Sequence, residues 1–157
     1  MNMRTVGLAA LITISATVAL AQSANWQRYV IPTSSAAVDL PTGLFTRDAG
    51  ELDPAFGQRR TTADGRANLT VQAFPNSDNL SPAAFLAKQQ PPAGILYQKV
   101  TPRFFAVSSV RDGKIWYNRC SADRSYMNCI LLNYPASEKR QWDGTVTRIS
   151  NTLSSTR

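Results

Sequence analysis

The sequence predicts an α+β fold: an antiparallel sheet of about five to seven strands built from hairpins, a short middle helix, and a C-terminal amphipathic helix packed on one face. Three observations carry that prediction. Asp64-Gly65 and Asp112-Gly113 each sit between β-prone runs. Ser81-Pro82 opens a short run of helix formers between them. Near the C-terminus, Trp142, Val146, Ile149 and Leu153 keep to one side of a helical period.

The chain opens Met-Asn-Met-Arg-Thr, which sets the charge of Arg4 beside the amino terminus, and an uncharged, mostly apolar run follows from Val6 to Val18. Ala19-Leu20-Ala21 then fits the small-x-small rule, so residues 1–21 read as a signal peptide cleaved after Ala21. The apolar run is shorter than the roughly 20 residues that span a bilayer, and no stop-transfer cluster follows it. Without a cysteine at the cleavage point, no lipoprotein anchor is expected. Residues 22–157 are then one α+β domain, periplasmic or secreted, with no transmembrane segment after signal cleavage.

Trp26 to Ile31 reads as a first strand, stopped by Pro32. From Val38 to Phe56 the chain is rich in Pro, Gly and Asp and is expected to run as extended pieces joined by turns. From Arg59 to Val71 the residues form a hairpin about Asp64-Gly65, because Asp-Gly supports the positive φ angles of a type I′ turn. Ala67, Leu69, Val71 and Ala73 alternate with polar residues, so that hairpin buries one face. Arg59 and Arg60 must point to opposite faces, which sends one of them to a rim or to a carboxylate. Ser81 is an N-cap with Pro82 at the first helical position, and Leu80 and Phe85 form a hydrophobic staple. That short helix ends before Pro91-Pro92.

The second hairpin, Phe104 to Cys120, turns at Asp112-Gly113 and continues into a strand from Asn128 to Tyr134, ended by Pro135. Placing Cys120 opposite Cys129 sets the register. Tyr117 then faces Leu132, Ile115 faces Tyr134, Val110 faces Ile115, and Phe105 faces Cys120. One sheet face collects Phe104, Ala106, Ile115, Tyr117, Ile130 and Leu132 as the core side. The other carries Phe105, Val107, Trp116, Asn118, Leu131 and the disulfide. A final helix from about Glu138 to Ser154 lays its apolar stripe on the core side.

Cysteine chemistry follows from export. Cys120 and Cys129 are the only two cysteines, and outside the cytosol they are expected to pair. Closing that loop stabilises the fold by roughly 2–3 kcal/mol in the chain-entropy model. A reactive thiol has no support, because there is no Cys-x-x-Cys spacing and the chain contains no histidine.

That lack of histidine also removes Ser-His-Asp and Cys-His mechanisms and the usual zinc sites. Phosphate-loop, dinucleotide, nucleophile-elbow and Ser-x-x-Lys motifs do not occur. No catalytic residue, cofactor or metal is assigned. Asp39, Asp48, Glu51 and Asp53 are the acids a carboxylate-dependent cell-wall hydrolase would use, but their Pro- and Gly-flanked contexts fit turns better. The formal net charge of +7 favours anionic partners; the basic residues are dispersed, and no nucleic-acid motif accompanies them. The candidate binding patch comprises Phe105, Trp116 and Leu131 with Arg119 nearby, joined by Arg124 and Tyr126 from the segment between the cysteines. That patch exists if the second sheet face is left open by the N-terminal segment and the short helix.

One stretch of about 55 residues carries a resemblance. It runs through Val100-Thr101-Pro102-Arg103-Phe104-Phe105-Ala106, Asp112-Gly113-Lys114-Ile115-Trp116-Tyr117-Asn118-Arg119, Leu132-Asn133-Tyr134-Pro135-Ala136-Ser137-Glu138 and Val146-Thr147-Arg148-Ile149. It resembles a family of small, uncharacterised exported proteins of alphaproteobacteria. The strand order and final helix also resemble the PsbP-like α+β sandwich of photosystem extrinsic proteins, which implies an accessory or binding module and supplies no catalytic residues. The expected function is therefore a non-enzymatic accessory or binding protein of the cell envelope, its partner an envelope protein or an anionic envelope polymer. The alternatives are the carboxylate hydrolase and a secreted enzyme inhibitor that presents the Ser121–Asn128 loop.

Overall fold

A computed structural model describes residues 24–154, so the signal-peptide segment lies outside the described residues. Nine strands and two helices follow in order: β1 (Trp26–Val30), β2 (Ala37–Pro41), β3 (Arg47–Asp48), β4 (Gly57–Thr61), β5 (Asn68–Pro75), α1 (Pro82–Gln89), β6 (Gly94–Val100), β7 (Phe104–Arg111), β8 (Lys114–Ala122), β9 (Tyr126–Pro135) and α2 (Lys139–Thr152). A 3₁₀ turn, Ala136–Glu138, joins β9 to α2. Seven strands make one antiparallel sheet in the order β3-β4-β5-β9-β8-β7-β6, and β1 pairs with β2 in a separate ribbon. The expected α+β class is what forms.

The two Asp-Gly turns do different things. At Asp112-Gly113 both residues have positive φ, 50° and 72°, and Arg111 faces Lys114 across a two-residue type I′ turn. At Asp64-Gly65 only the glycine does, at 71°. There the Asp64 carboxylate accepts from the Thr62 hydroxyl at 2.6 Å and the Arg66 N–H at 3.1 Å, and Thr62 N–H closes on the Ala67 carbonyl at 3.0 Å. A longer loop replaces the expected two-residue turn, because an aspartate that accepts locally stabilises an open turn.

From the tight turn onward the register runs as counted: Val110 opposite Ile115, Phe105 opposite Cys120, Tyr117 opposite Leu132, Ile115 opposite Tyr134, and Cys120 opposite Cys129. The disulfide between Cys120 and Cys129 is formed. On one sheet face, Leu69, Val71, Ile130 and Leu132 are covered by α2 and the β1–β2 ribbon, with Phe45 and Ile31 filling between. Trp142, Val146, Ile149 and Leu153 are buried there, as their spacing predicts. Ser154 then exchanges two backbone hydrogen bonds with Ala37, which ties the end of α2 to β2.

The opposite face is covered at the disulfide end by α1. Ser81 caps this helix by accepting from Ala84 N–H at 3.2 Å, and Phe85 and Leu86 pack on Phe105, Val107, Met127 and the two cysteines. Strand β6 has no counterpart in the sequence reading. All seven of its residues are exposed, it forms one edge of the sheet, and its pairing with β7 shifts register between Ile95 and Tyr97. Of the adjacent arginines, Arg60 is the one at a rim: it donates to the Phe45 and Thr46 carbonyls, each at 3.4 Å, and pairs with no carboxylate among the described residues. Arg59 instead donates to the Thr70 hydroxyl at 3.3 Å.

Candidate functional site

A single helix is about 10 Å across, and neighbouring strands lie about 4.8 Å apart, so α2 cannot roof seven strands. It packs on β9 and β2. The floor of β7 and β6 continues past its flank, leaving a groove of about 620 Å³ between α2 and β6–β8. Leu96, Tyr97 and Lys99 of β6, Phe104, Ala106 and Ser108 of β7, and Tyr117 and Arg119 of β8 form its floor and far wall. Lys139, Asp143, Val146, Thr147, Ser150 and Asn151 of α2, with Tyr134 below, form the near wall.

The groove's polar groups divide into those that are satisfied and those that are not. Tyr117 and Ser150 share a hydroxyl–hydroxyl hydrogen bond of 2.5 Å across its base. Lys139 Nζ donates to both oxygens of Asp143, at 2.9 and 3.1 Å, which neutralises that carboxylate within its own helix. The Arg119 guanidinium lies over the Phe104 ring, 4.3 Å from its centroid, and Lys99 Nζ approaches the same ring at 5.7 Å. Arg119 Nε is buried without a hydrogen-bond partner, and neither Arg119 nor Lys99 forms a salt bridge among the described residues. Burial pushes the Tyr134 hydroxyl up to about 12, with the negative charge of Asp143 adding to the effect. Tyr117 is raised by burial too, against the opposing pull of its Ser150 hydrogen bond and Arg119.

The patch expected from the sequence does not assemble. Phe105 is fully buried beneath α1, where it stacks on Phe85 with ring centroids 6.5 Å apart. Trp116 is 40% exposed and, with Pro91, Pro92 and Leu131, lines a smaller hollow of about 230 Å³. Arg119 lies on the other side of the sheet, because it shares the strand alternation of Ile115 and Tyr117 and not that of Trp116. Tyr126 also turns to the α2 side, packing at the end of the main core, and Arg124 is exposed at a turn tip. Ser121–Asn128 is not a presented loop. Strands β8 and β9 run up to Ala122 and on from Tyr126, Asp123 N–H closes on the Tyr126 carbonyl at 2.9 Å, and Met127 and Asn128 are fully buried.

Three of the N-terminal acids serve local structure. Asp39 pairs with Arg28 at 3.1 Å, while Asp48 and Asp53 accept from the N–H groups of Ala49 and Ala55, each at 2.9 Å. Glu51 and Asp48 share a surface depression, an open one that also contains Arg59 and Arg60. Among the described residues no cluster of three metal-ligating side chains occurs, and no helix is long and apolar enough to cross a membrane.

The groove residues Lys99, Phe104, Ser108 and Arg119 were not joined into a site by sequence reasoning. The available signal was the alternation itself, which puts Arg119 and Tyr117 on one face, together with the narrowness of the apolar stripe on α2.

No protein-family model matches the chain, and no curated protein matches it. Among solved structures, the solution structure of cyanobacterial PsbP (CyanoP) from Synechocystis sp. PCC 6803 is similar, with a TM-score of 0.60 at 12% identity, over 85% of this chain and 94% of that one. At so low an identity the likeness speaks to architecture and leaves function to the site. The chain has a PsbP-like α+β fold.

Proposed function

We propose that this chain is an exported, non-enzymatic accessory or binding protein of the cell envelope, and that it holds its partner in the groove between α2 and β6–β8. One observation carries the reading. The groove contains two cationic side chains, Arg119 and Lys99, that no described carboxylate neutralises, while its one acid, Asp143, is engaged by Lys139 and the Tyr117 and Ser150 hydroxyls by each other. Such a surface is complementary to an anionic group and lacks a poised acid–base pair. Export is supported by the pattern of Met1 to Ala21, by the Cys120–Cys129 disulfide, and by the resemblance of the C-terminal half to exported alphaproteobacterial proteins. The PsbP-like fold supports an accessory role.

The test is affinity capture from envelope extract with the processed chain, at low and at moderate salt, beside the Arg119→Met variant. A partner retained in moderate salt and lost with Arg119→Met is the expected result. Capture that disappears with salt alone would mark generic charge attraction and overturn the reading. Capture lost on replacing Arg124 and Tyr126 instead would move the function to the β8–β9 turn. Hydrolysis of cell-wall glycan abolished by Glu51→Gln would replace binding with catalysis.

A further inference from the structure

We propose that the groove takes a carboxylate-bearing ligand, with Arg119 as the group that fixes the carboxylate. This rests on the groove being the binding site, and adds the chemical class of what it binds.

The argument begins with the donor. Stacking on Phe104 covers one face of the Arg119 guanidinium, 4.3 Å from the ring centroid, and leaves its in-plane N–H edges as the groups to be satisfied. Nε is already out of water and has no acceptor among the described residues. A buried donor on a charged group is costly to leave unpaired, and an anionic acceptor offsets that cost more fully than a neutral one. A carboxylate matches the planar fork with two parallel hydrogen bonds. Lys99, over the same ring, adds positive charge without a fixed geometry.

The opposite wall narrows the choice of anion. Asp143 stands on the α2 wall with Lys139 bound to both its oxygens, so that wall adds a carboxylate and no net positive charge to the groove. A singly charged head next to Arg119 meets less repulsion from that carboxylate than a doubly charged phosphate would. Between the two charged ends the lining is mixed: Leu96, Ala106, Val146 and the ring of Tyr97 stand among Ser108, Thr147 and Asn151. About 620 Å³ falls within the range of small-molecule sites. The same chemistry could arrive as a free small acid or as the C-terminal carboxylate of a polypeptide.

Both sources are tested on the processed, ¹⁵N-labelled chain by calorimetry and by the NMR shifts of the Arg119 Nε–H and the Phe104 and Ala106 amides. The probes are 3-phenylpropionate and its amide, N-acetyl-alanyl-phenylalanine and its amide, and inorganic phosphate. The expected result is that each acid binds roughly tenfold or more tightly than its amide, and that phosphate alone binds more weakly than either acid. Tighter binding of the acetylated dipeptide identifies a polypeptide C-terminus; tighter binding of 3-phenylpropionate identifies a free acid. Arg119→Met should bring the acids down to the level of their amides. Arg119→Lys, which keeps the charge and loses the fork, should fall between, and serves if the methionine variant does not fold. Equal affinity for acid and amide, or acid binding untouched by Arg119→Lys, would overturn the proposal. If acids fail to bind while envelope capture still depends on Arg119, the ligand class is wrong and the groove stands. If acids bind and capture ignores Arg119, the groove is not where the envelope partner sits.

Discussion

Trp142 stacks on Tyr134, with ring centroids 5.2 Å apart and planes 24° from parallel, and through this contact α2 is seated on the sheet. Phe45 closes the other side of the indole at 5.8 Å, and the indole N–H donates to Glu138 at 3.2 Å. Glu138 in turn pairs with Arg66 from the first hairpin. Trp142→Ala therefore empties a ring-sized space and is expected to cost about 3–5 kcal/mol. Denaturant unfolding checks it, and a loss under about 1 kcal/mol would mean that α2 is held some other way.

The disulfide links residues nine apart in sequence on adjacent strands, and both cysteines are buried. Replacing Cys120 and Cys129 together by alanine should lower stability by about 2–3 kcal/mol, chiefly by freeing the unfolded chain. Intact mass after alkylation without reductant gives the independent check: two labelled thiols would refute the bond.

Alkaline pH should destabilise the fold. In the unfolded chain the Tyr134 phenol titrates near its ordinary 10.0, whereas in the folded protein burial holds it up to about 12. Between those values the unfolded state releases a proton that the folded state keeps, so the stability present below pH 10 is lost as pH rises through 12. Tyr29 and Tyr117, raised for the same reason, act in the same direction. Urea titrations at stepped pH should show this decline, and it should be shallower in Tyr134→Phe. An unchanged slope in that variant would assign the effect elsewhere.

Two glycines should respond oppositely to alanine. At Gly57 φ is +154°, and an added Cβ would lie 2.0 Å from the Val71 carbonyl oxygen. Gly57→Ala must separate β4 from β5 and is expected to cost at least about 1–3 kcal/mol. Gly144 lies within α2 and has nothing within 4 Å of the added carbon, so Gly144→Ala should stabilise by roughly 1 kcal/mol. Thermal midpoints of the two variants, moving in opposite directions, test both readings.

Much of the three-strand unit β7–β8–β9 was legible because a two-residue turn leaves no freedom of register. Once Asp112-Gly113 fixes Val110 opposite Ile115, every later pairing to Cys120 follows by counting, and the cysteines carry the count into β9. The helix α2 was legible because its four apolar residues have nowhere else to go. Strand β6 was not legible: Gly94–Val100 lacks alternation and becomes a strand only by pairing with β7. The pairing of β5 with β9 was not legible either, since no local signal brings Leu69 opposite Leu132. Of the candidate site, Arg119 was named, but beside Trp116, a neighbour in sequence distance and not in strand parity. The groove arises from a mismatch of widths, one helix over a seven-stranded sheet, and a width is a property of the assembled layers.

Where the sheet stops also has a consequence. On one side it ends in β3, two residues long, too short to act as a template for a further strand. On the other it ends in β6, which is long enough but is bent by the register shift between Ile95 and Tyr97 and carries Lys99 beyond the bend. A strand from another copy would have to follow that shift and pass Lys99. Strand addition is disfavoured at β3 and at the bulge of β6, while the exposed Ile95, Leu96, Tyr97 and Val100 leave β6 the more open of the two edges.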